Sequence, residues 1–155
     1  MFYILITTDK ETISGAKISA FEIVKQRLKI GKWPLYKGTN FIDKIQESNE
    51  CLVYIAGYKK FSQHIISKIK IQKVEILNKE HDYEEKLFDI ISTPALKVLE
   101  FKPQEINDNK FINIRDEFSS IDFIPNNMKR WGIFFMGGVK RINSKDYYHL
   151  SKKLI

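Results

Sequence analysis

The chain has 155 residues, 43% of them hydrophobic, and carries 26 Lys and Arg against 19 Asp and Glu, a formal net charge of +7. That length suits one domain, residues 1–155, with its own core, and no apolar run reaches the roughly 18 residues that a membrane-spanning helix needs. Cys51 is the only cysteine, which excludes an internal disulfide and a cysteine-built zinc site and fits a reducing cytoplasm, while the excess of cations favours an anionic partner, nucleic acid before a membrane surface.

Phe2–Thr7 (FYILIT) reads as a strand, apolar on both faces and therefore central in a sheet. It lacks the basic leader and small-residue cleavage site of a signal peptide. Residues 8–18 read as a polar loop. Residues 19–30 have the marks of a helix: Ser19 and Glu22 form a capping box, Gly31 suits the left-handed C-terminal position, and Phe21, Val24 and Leu28 share a face. Residues 32–40 (KWPLYKGTN) are expected to be irregular because Pro34 and Gly38 interrupt them, although Trp33 and Tyr36 lie within. One helical turn is expected over 42–46 and a buried strand over 51–56, ended by Gly57.

Residues 61–71 alternate, with Gln63, Ile65, Ser67, Ile69 and Ile71 pointing one way and Ser62, His64, Ile66, Lys68 and Lys70 the other. A strand over 74–77 follows, then an acidic loop or short helix over 78–89, then a strand over 95–102. After a connection over 103–113, a helix is expected over 114–124 on the strength of Phe118, Ile121, Phe123 and Ile124. A turn at Pro125, Asn126 and Asn127 precedes a short strand over 132–136, and Ser144 is expected to cap a last helix that turns Tyr147, Leu150 and Leu154 inward. Five or six strands and three or four short helices, without βα alternation, predict an α+β fold built on a mixed β-barrel with helices in its connections.

The chemistry-bearing residues point away from metals. His64, His81 and His149 fall on separate elements without ligand spacing. The acidic run Glu80, Asp82, Glu84 and Glu85 reads as a solvated face. Lys37, Thr39 and Asp43 lie close enough to form a hydrolytic trio, a grouping that a polar loop produces by chance as well. The aromatics are more informative. Two far-apart tryptophans, Trp33 and Trp131, lie in basic, turn-rich segments. An indole stacked on a base gains about 1–3 kcal/mol whatever the base, and two such walls would admit one flipped out of its stack. Tyr36 and Tyr54 would complete the slot, and Thr39 and Asn40 would read the base edge. Lys32, Lys37, Lys59, Lys60, Lys129, Arg130, Lys140 and Arg141 flank the same segments and suit phosphates. Each has a plainer reading: core for the rings, solvated charge for the cations.

The strand FYILIT, the loop KWPLYKGTN, the strand CLVYIAG and the block MKRW…FFMGGVKRINSKDYYHL together resemble an EVE domain of the PUA-like superfamily, over nearly the whole chain. The EVE family is related to YTH domains, which hold a methylated adenine in an aromatic cage. By that resemblance Trp33 supplies one wall and Asn40 lies near a polar pocket residue. The chain departs from the family at Ser48-Asn49-Glu50, where many relatives turn on Gly-Asp, and at Ile4, where the usual residue is aromatic. The resemblance implies a PUA-like barrel that binds modified bases in DNA or RNA; set beside the residues, the expectation is a binding module in preference to an enzyme, with no metal, cofactor or membrane partner. A PUA-like amidohydrolase acting on modified nucleosides, and a protein-interaction or homo-oligomeric module using Phe134-Phe135 and Tyr147-Tyr148 as interface aromatics, are the alternatives.

Overall fold

The computed structural model describes residues 1–77, 95–125 and 130–154. The expectations for 78–89, with its acidic run and His81, and for Asn126, Asn127 and Lys129 lie outside them.

Among the described residues ten strands form three sheets. The largest has the order β10-β1-β5-β6-β9, made of Val139–Ile142, Phe2–Thr7, Glu50–Ile55, His64–Lys70 and Ile112–Asn113. Strands β1 and β5 run parallel, while the other pairs in this sheet are antiparallel. A second sheet has the order β4-β8-β7, from Lys32–Tyr36, Ala95–Glu100 and Lys73–Ile76, all antiparallel. The polar loop after β1 contains a two-residue hairpin, β2 (Lys10–Glu11) with β3 (Lys17–Ile18). The architecture is mixed α+β, and no pairing among the described strands closes either larger sheet on itself.

β1 is central because both its faces are apolar. Tyr3 and Leu5, with Cys51, Val53 and Ile55 of β5, enter one core together with Trp33, Leu99 and helix α1 (Ala20–Ile30). Ile4 and Ile6, with Leu52 and Tyr54, enter a second core with Ile114, Ile121, Phe135 and helix α2 (Ser144–Ser151). Helix α1 has the expected ends: Ser19 Oγ accepts from the Glu22 amide, and Gly31 closes it at φ 80°. Residues 41–45 make the expected turn, the Ile45 amide donating to the Phe41 carbonyl.

Several local expectations are corrected. Residues 32–36 are a strand: β4 is an edge, where a proline lacking its N–H is tolerated, and it pairs Trp33 with Leu99. The alternation expected over 61–71 is broken by a bulge, since Val53 pairs with Ser67 and Tyr54 with Ile65, leaving Ile66 over. Ile65 therefore faces the second core, while Ile66 and Ile69 face the first. Residues 114–124 are not one helix. A 3-10 turn, Ile114–Glu117, is capped by Asn113, and the amides of Asp122 and Phe123 donate to the buried Asp146 carboxylate. Trp131–Phe135 is a 3-10 turn and not a strand. It brings the Trp131 and Phe135 rings to 6.1 Å, whereas a strand would hold them about 13 Å apart. The cap of α2 is Asn143, whose Oδ1 accepts from the Asp146 amide.

Candidate functional site

A cleft of about 940 Å³ opens beyond the C-terminal ends of the parallel pair β1 and β5, bounded by β4 and by residues 130–138. Its walls are stitched by the backbone. The Ile6 amide donates to the Gly138 carbonyl at 2.8 Å, the Asn40 amide to the Gly137 carbonyl at 2.9 Å and the Ala56 amide to the Thr7 carbonyl at 2.9 Å. The Asp9 carboxylate ties two further segments, accepting from the amides of Ala20 and Tyr58.

Of the aromatic residues expected in a base slot, Trp33, Tyr36, Tyr54 and Trp131 all line this cleft, as does Thr39. They differ in what they expose. Trp33 is 2% exposed and packs in the first core, with the Arg27 guanidinium 4.6 Å over its ring. Tyr54 is also buried, stacked at 3.9 Å and 11° on Phe135. Trp131 is half-buried, edge-on to Phe118 at 5.1 Å and with Arg115 5.5 Å over its ring. Asn40 is not among the lining residues; its side chain braces Gly137 from behind, where a Cβ would come within 2.1 Å of Nδ2. Ile4 lies in the second core and off the cleft.

Among the expected phosphate contacts, Lys37 and Arg130 line the cleft and are exposed. Lys32 does not line it and lies 3.8 Å from Glu100. Lys60 sits over Phe21 and Phe61, and Lys59 and Arg141 are exposed elsewhere on the surface. Lys140 packs over Phe134 at 5.0 Å, and burial lowers its pKa. Of the hydrolytic trio, Lys37 and Thr39 line the cleft, but Asp43 does not and faces Lys97 at 3.8 Å. The paired aromatics divide: Phe135 and Tyr147 are buried, whereas Tyr148 is exposed. Among the described residues no group of three or more His, Cys, Asp and Glu could hold a metal ion, and no helix is long and apolar enough to cross a membrane.

The cleft also holds groups that the sequence reading does not pick out. Lys10, Arg27 and Arg115 join Lys37 and Arg130, so that among the described residues five cations line it and no carboxylate does. Lys10 lies 5.7 Å over the Tyr36 ring. Gln63 lines it from a left-handed backbone, φ 67°, which a non-glycine residue adopts at a cost. Hydrogen bonds hold that conformation from both sides: the Gln63 amide donates to the Ile55 carbonyl at 2.7 Å, and its carbonyl accepts from Ile114. Burial pushes the Tyr54 phenol well above the usual tyrosine range, and Arg115 pulls it partly back, so the hydroxyl stays protonated and neutral.

No protein-family model and no curated protein matches the sequence. Solved structures do. The DUF55 domain of human thymocyte nuclear protein 1 superposes with a TM-score of 0.59 at 12% identity, over 99% of this chain and 98% of that one. The human THYN1 protein in complex with 5-methylcytosine-containing DNA gives 0.57 at 12% identity, over 98% and 96%. A protein from Pseudomonas syringae gives 0.59 at 13%, over the full length of both chains. At such identities the likeness speaks for architecture alone: the chain shares the fold of these structures over nearly its whole length, in keeping with the EVE-domain resemblance of its sequence motifs.

Proposed function

We propose that the chain is a single nucleic-acid-binding domain that takes one base, flipped from its strand and carrying a modification, into this cleft. The observation that carries the reading is the composition of the lining: among the described residues, both tryptophans and five cations on one cavity, with no carboxylate. A cavity of that size falls within the roughly 300–1,000 Å³ of small-ligand pockets. A flat neutral ring gains by stacking on an indole, and the phosphates beside it gain by releasing counterions to the cations. The half-buried Trp131 is the more accessible of the two indoles, and Trp33 is fixed under Arg27. Tyr36 and the neutral Tyr54 line the slot; Thr39 and Gln63 supply the hydroxyl and amide that read a base edge, with Asn40 as the brace behind. Lys10, Lys37, Arg115 and Arg130 take the phosphates. The complex of the human neighbour with methylated DNA supports a nucleic-acid partner and favours DNA over RNA. We read the two larger sheets as halves of a barrel-like body, because Trp33 and Leu99 of one share a core with Tyr3 and Val53 of the other. The cytoplasm is the compartment that the lone, buried Cys51 suits.

The test is binding of oligonucleotides with and without 5-methylcytosine across a range of salt. Affinity should fall with salt, by about 0.9 in the log–log slope for each phosphate contacted. Trp131→Ala should abolish preference between bases and leave that slope unchanged. Lys37→Gln and Arg130→Gln should each flatten the slope by about 1 and leave the preference intact. A folded Trp131→Ala protein that still discriminates between bases would remove the slot.

A further inference from the structure

The rim of the cleft carries large apolar side chains in water. Tyr58 is 99% exposed, Met136 68% and Ile133 51%, and all three border the cavity. They come from two separate segments, the one leaving β5 and the 3-10 turn before β10. Neither segment hangs free. Tyr58 follows Gly57, whose φ of 92° and contact with Asp9 fix the bend, and the Tyr58 amide donates to Asp9. Met136 lies between Phe135, stacked on Tyr54, and Gly137, wedged against Asn40. The Tyr54–Phe135 stack thus joins the two mounts beneath the rim. Exposed apolar groups on rigid mounts, beside Arg130 and Lys37, match what base-flipping and duplex-kinking proteins insert between base steps.

Resting on the base-binding reading above, we propose that Tyr58, Ile133 and Met136 are a wedge that enters double-stranded DNA and fills the gap left by the extruded base. A flipped base leaves an unstacked hole whose neighbours face water. Side chains mounted at the mouth on a backbone already tied down stand where they can refill it. Arg130 and Lys37, exposed on the same cleft, suit the flanking phosphates. The wedge therefore serves duplex binding and is dispensable for a single strand, whose bases are already free.

The experiment uses a duplex containing one 5-methylcytosine with 2-aminopurine as its neighbour, and the same strand alone. The wild-type chain should bind both and raise the 2-aminopurine fluorescence of the duplex. The triple variant Tyr58→Ala, Ile133→Ala, Met136→Ala removes only exposed side chains. It should keep its single-strand affinity, lose about tenfold or more on the duplex, and lose the fluorescence rise. A mismatch opposite the target base, which lowers the cost of extrusion, should restore duplex binding to the variant. Unchanged duplex affinity and fluorescence in the variant overturn the wedge, as does an equal loss on both strand forms. Wild type that binds the single strand but not the duplex overturns the wedge and leaves the base-binding reading standing. Wild type that binds neither overturns both.

Discussion

Trp33 and Trp131 border the same cavity with different energetics. Trp33 is almost wholly buried, so Trp33→Ala should cost about 3–5 kcal/mol of stability. Half-buried Trp131 is expected to cost only about 1–2 kcal/mol when truncated. Urea unfolding of the two variants at equal m-value checks the contrast; similar losses would mean that Trp131 is as much a core residue as Trp33. The consequence for function is that Trp131→Ala isolates stacking, whereas Trp33→Ala mixes stacking with loss of fold. Both rings stand out in the sequence because tryptophan is scarce and each lies in a basic turn. Arg27 does not, because a lysine- and arginine-rich helix reads as solvated. Yet Val24, Arg27 and Leu28 follow the i, i+3, i+4 spacing of a buried stripe. A cation on that stripe is a signal that the sequence contains, and in the structure it is 2% exposed over an indole. Gln63 gave no such signal, since its place on the cleft depends on a left-handed backbone that local composition does not encode.

The segment from α1 to β4 sets the geometry of one wall. Gly31 reverses the chain so that Trp33, two residues on, comes under Arg27 in the last turn of α1. A Cβ on Gly31 would stand 2.5 Å from the Phe101 carbonyl oxygen, and the backbone there is left-handed. Gly31→Ala should therefore destabilise by more than about 1 kcal/mol from backbone conformation alone, and the clash with β8's exit adds to it. Thermal melts together with quenching of tryptophan emission would detect both the loss and the shift at Trp33. On the other side of the sheet, the buried Asp146 carboxylate receives the amides of Asp122 and Phe123 and holds their turn to α2. Asp146→Ala should cost about 2 kcal/mol, because two part-buried N–H donors lose a buried, charged acceptor; a loss below about 0.5 kcal/mol would show that water replaces it. The same bonds explain why residues 114–124 look helical in sequence and are not. Their apolar spacing suits a helix, but a carboxylate some 25 residues ahead takes the amides that a helix would use. Strand β4 and the turn Trp131–Phe135 were hidden for a like reason. An edge position excuses Pro34, and ring contacts across the fold decide the turn, so neither outcome is encoded locally. Helix α1 and strands β1 and β5 were legible because their caps and apolar periods are local and strong.

At the scale of the molecule, the central sheet separates two cores, and each holds ionisable side chains that are buried. Tyr54 and Tyr147 lie in the second core, and burial raises both phenols above their ordinary range; Cys51 lies in the first, and burial likewise raises its thiol. In each case the folded chain keeps its proton to higher pH than the unfolded chain does. The unfolded state releases its protons first, from about pH 8.5 for the thiol and about pH 10 for the phenols. The stabilising contribution is thus complete at neutral pH and is lost as pH climbs through that window towards the raised folded values, at up to about 1.4 kcal/mol per pH unit for each group. The expected result is a urea midpoint that is level near neutrality and falls with growing steepness above about pH 9. Tyrosinate absorbance provides the independent check, since Tyr54 and Tyr147 should ionise only with the unfolding transition. Tyr54→Phe, which preserves the stack on Phe135, should make the alkaline decline shallower and remove one tyrosinate from the unfolding step. If Tyr54 instead titrates smoothly in the folded protein, the floor of the cleft admits water to its hydroxyl. The Tyr54–Phe135 stack then no longer seals the second core beneath the base-binding slot.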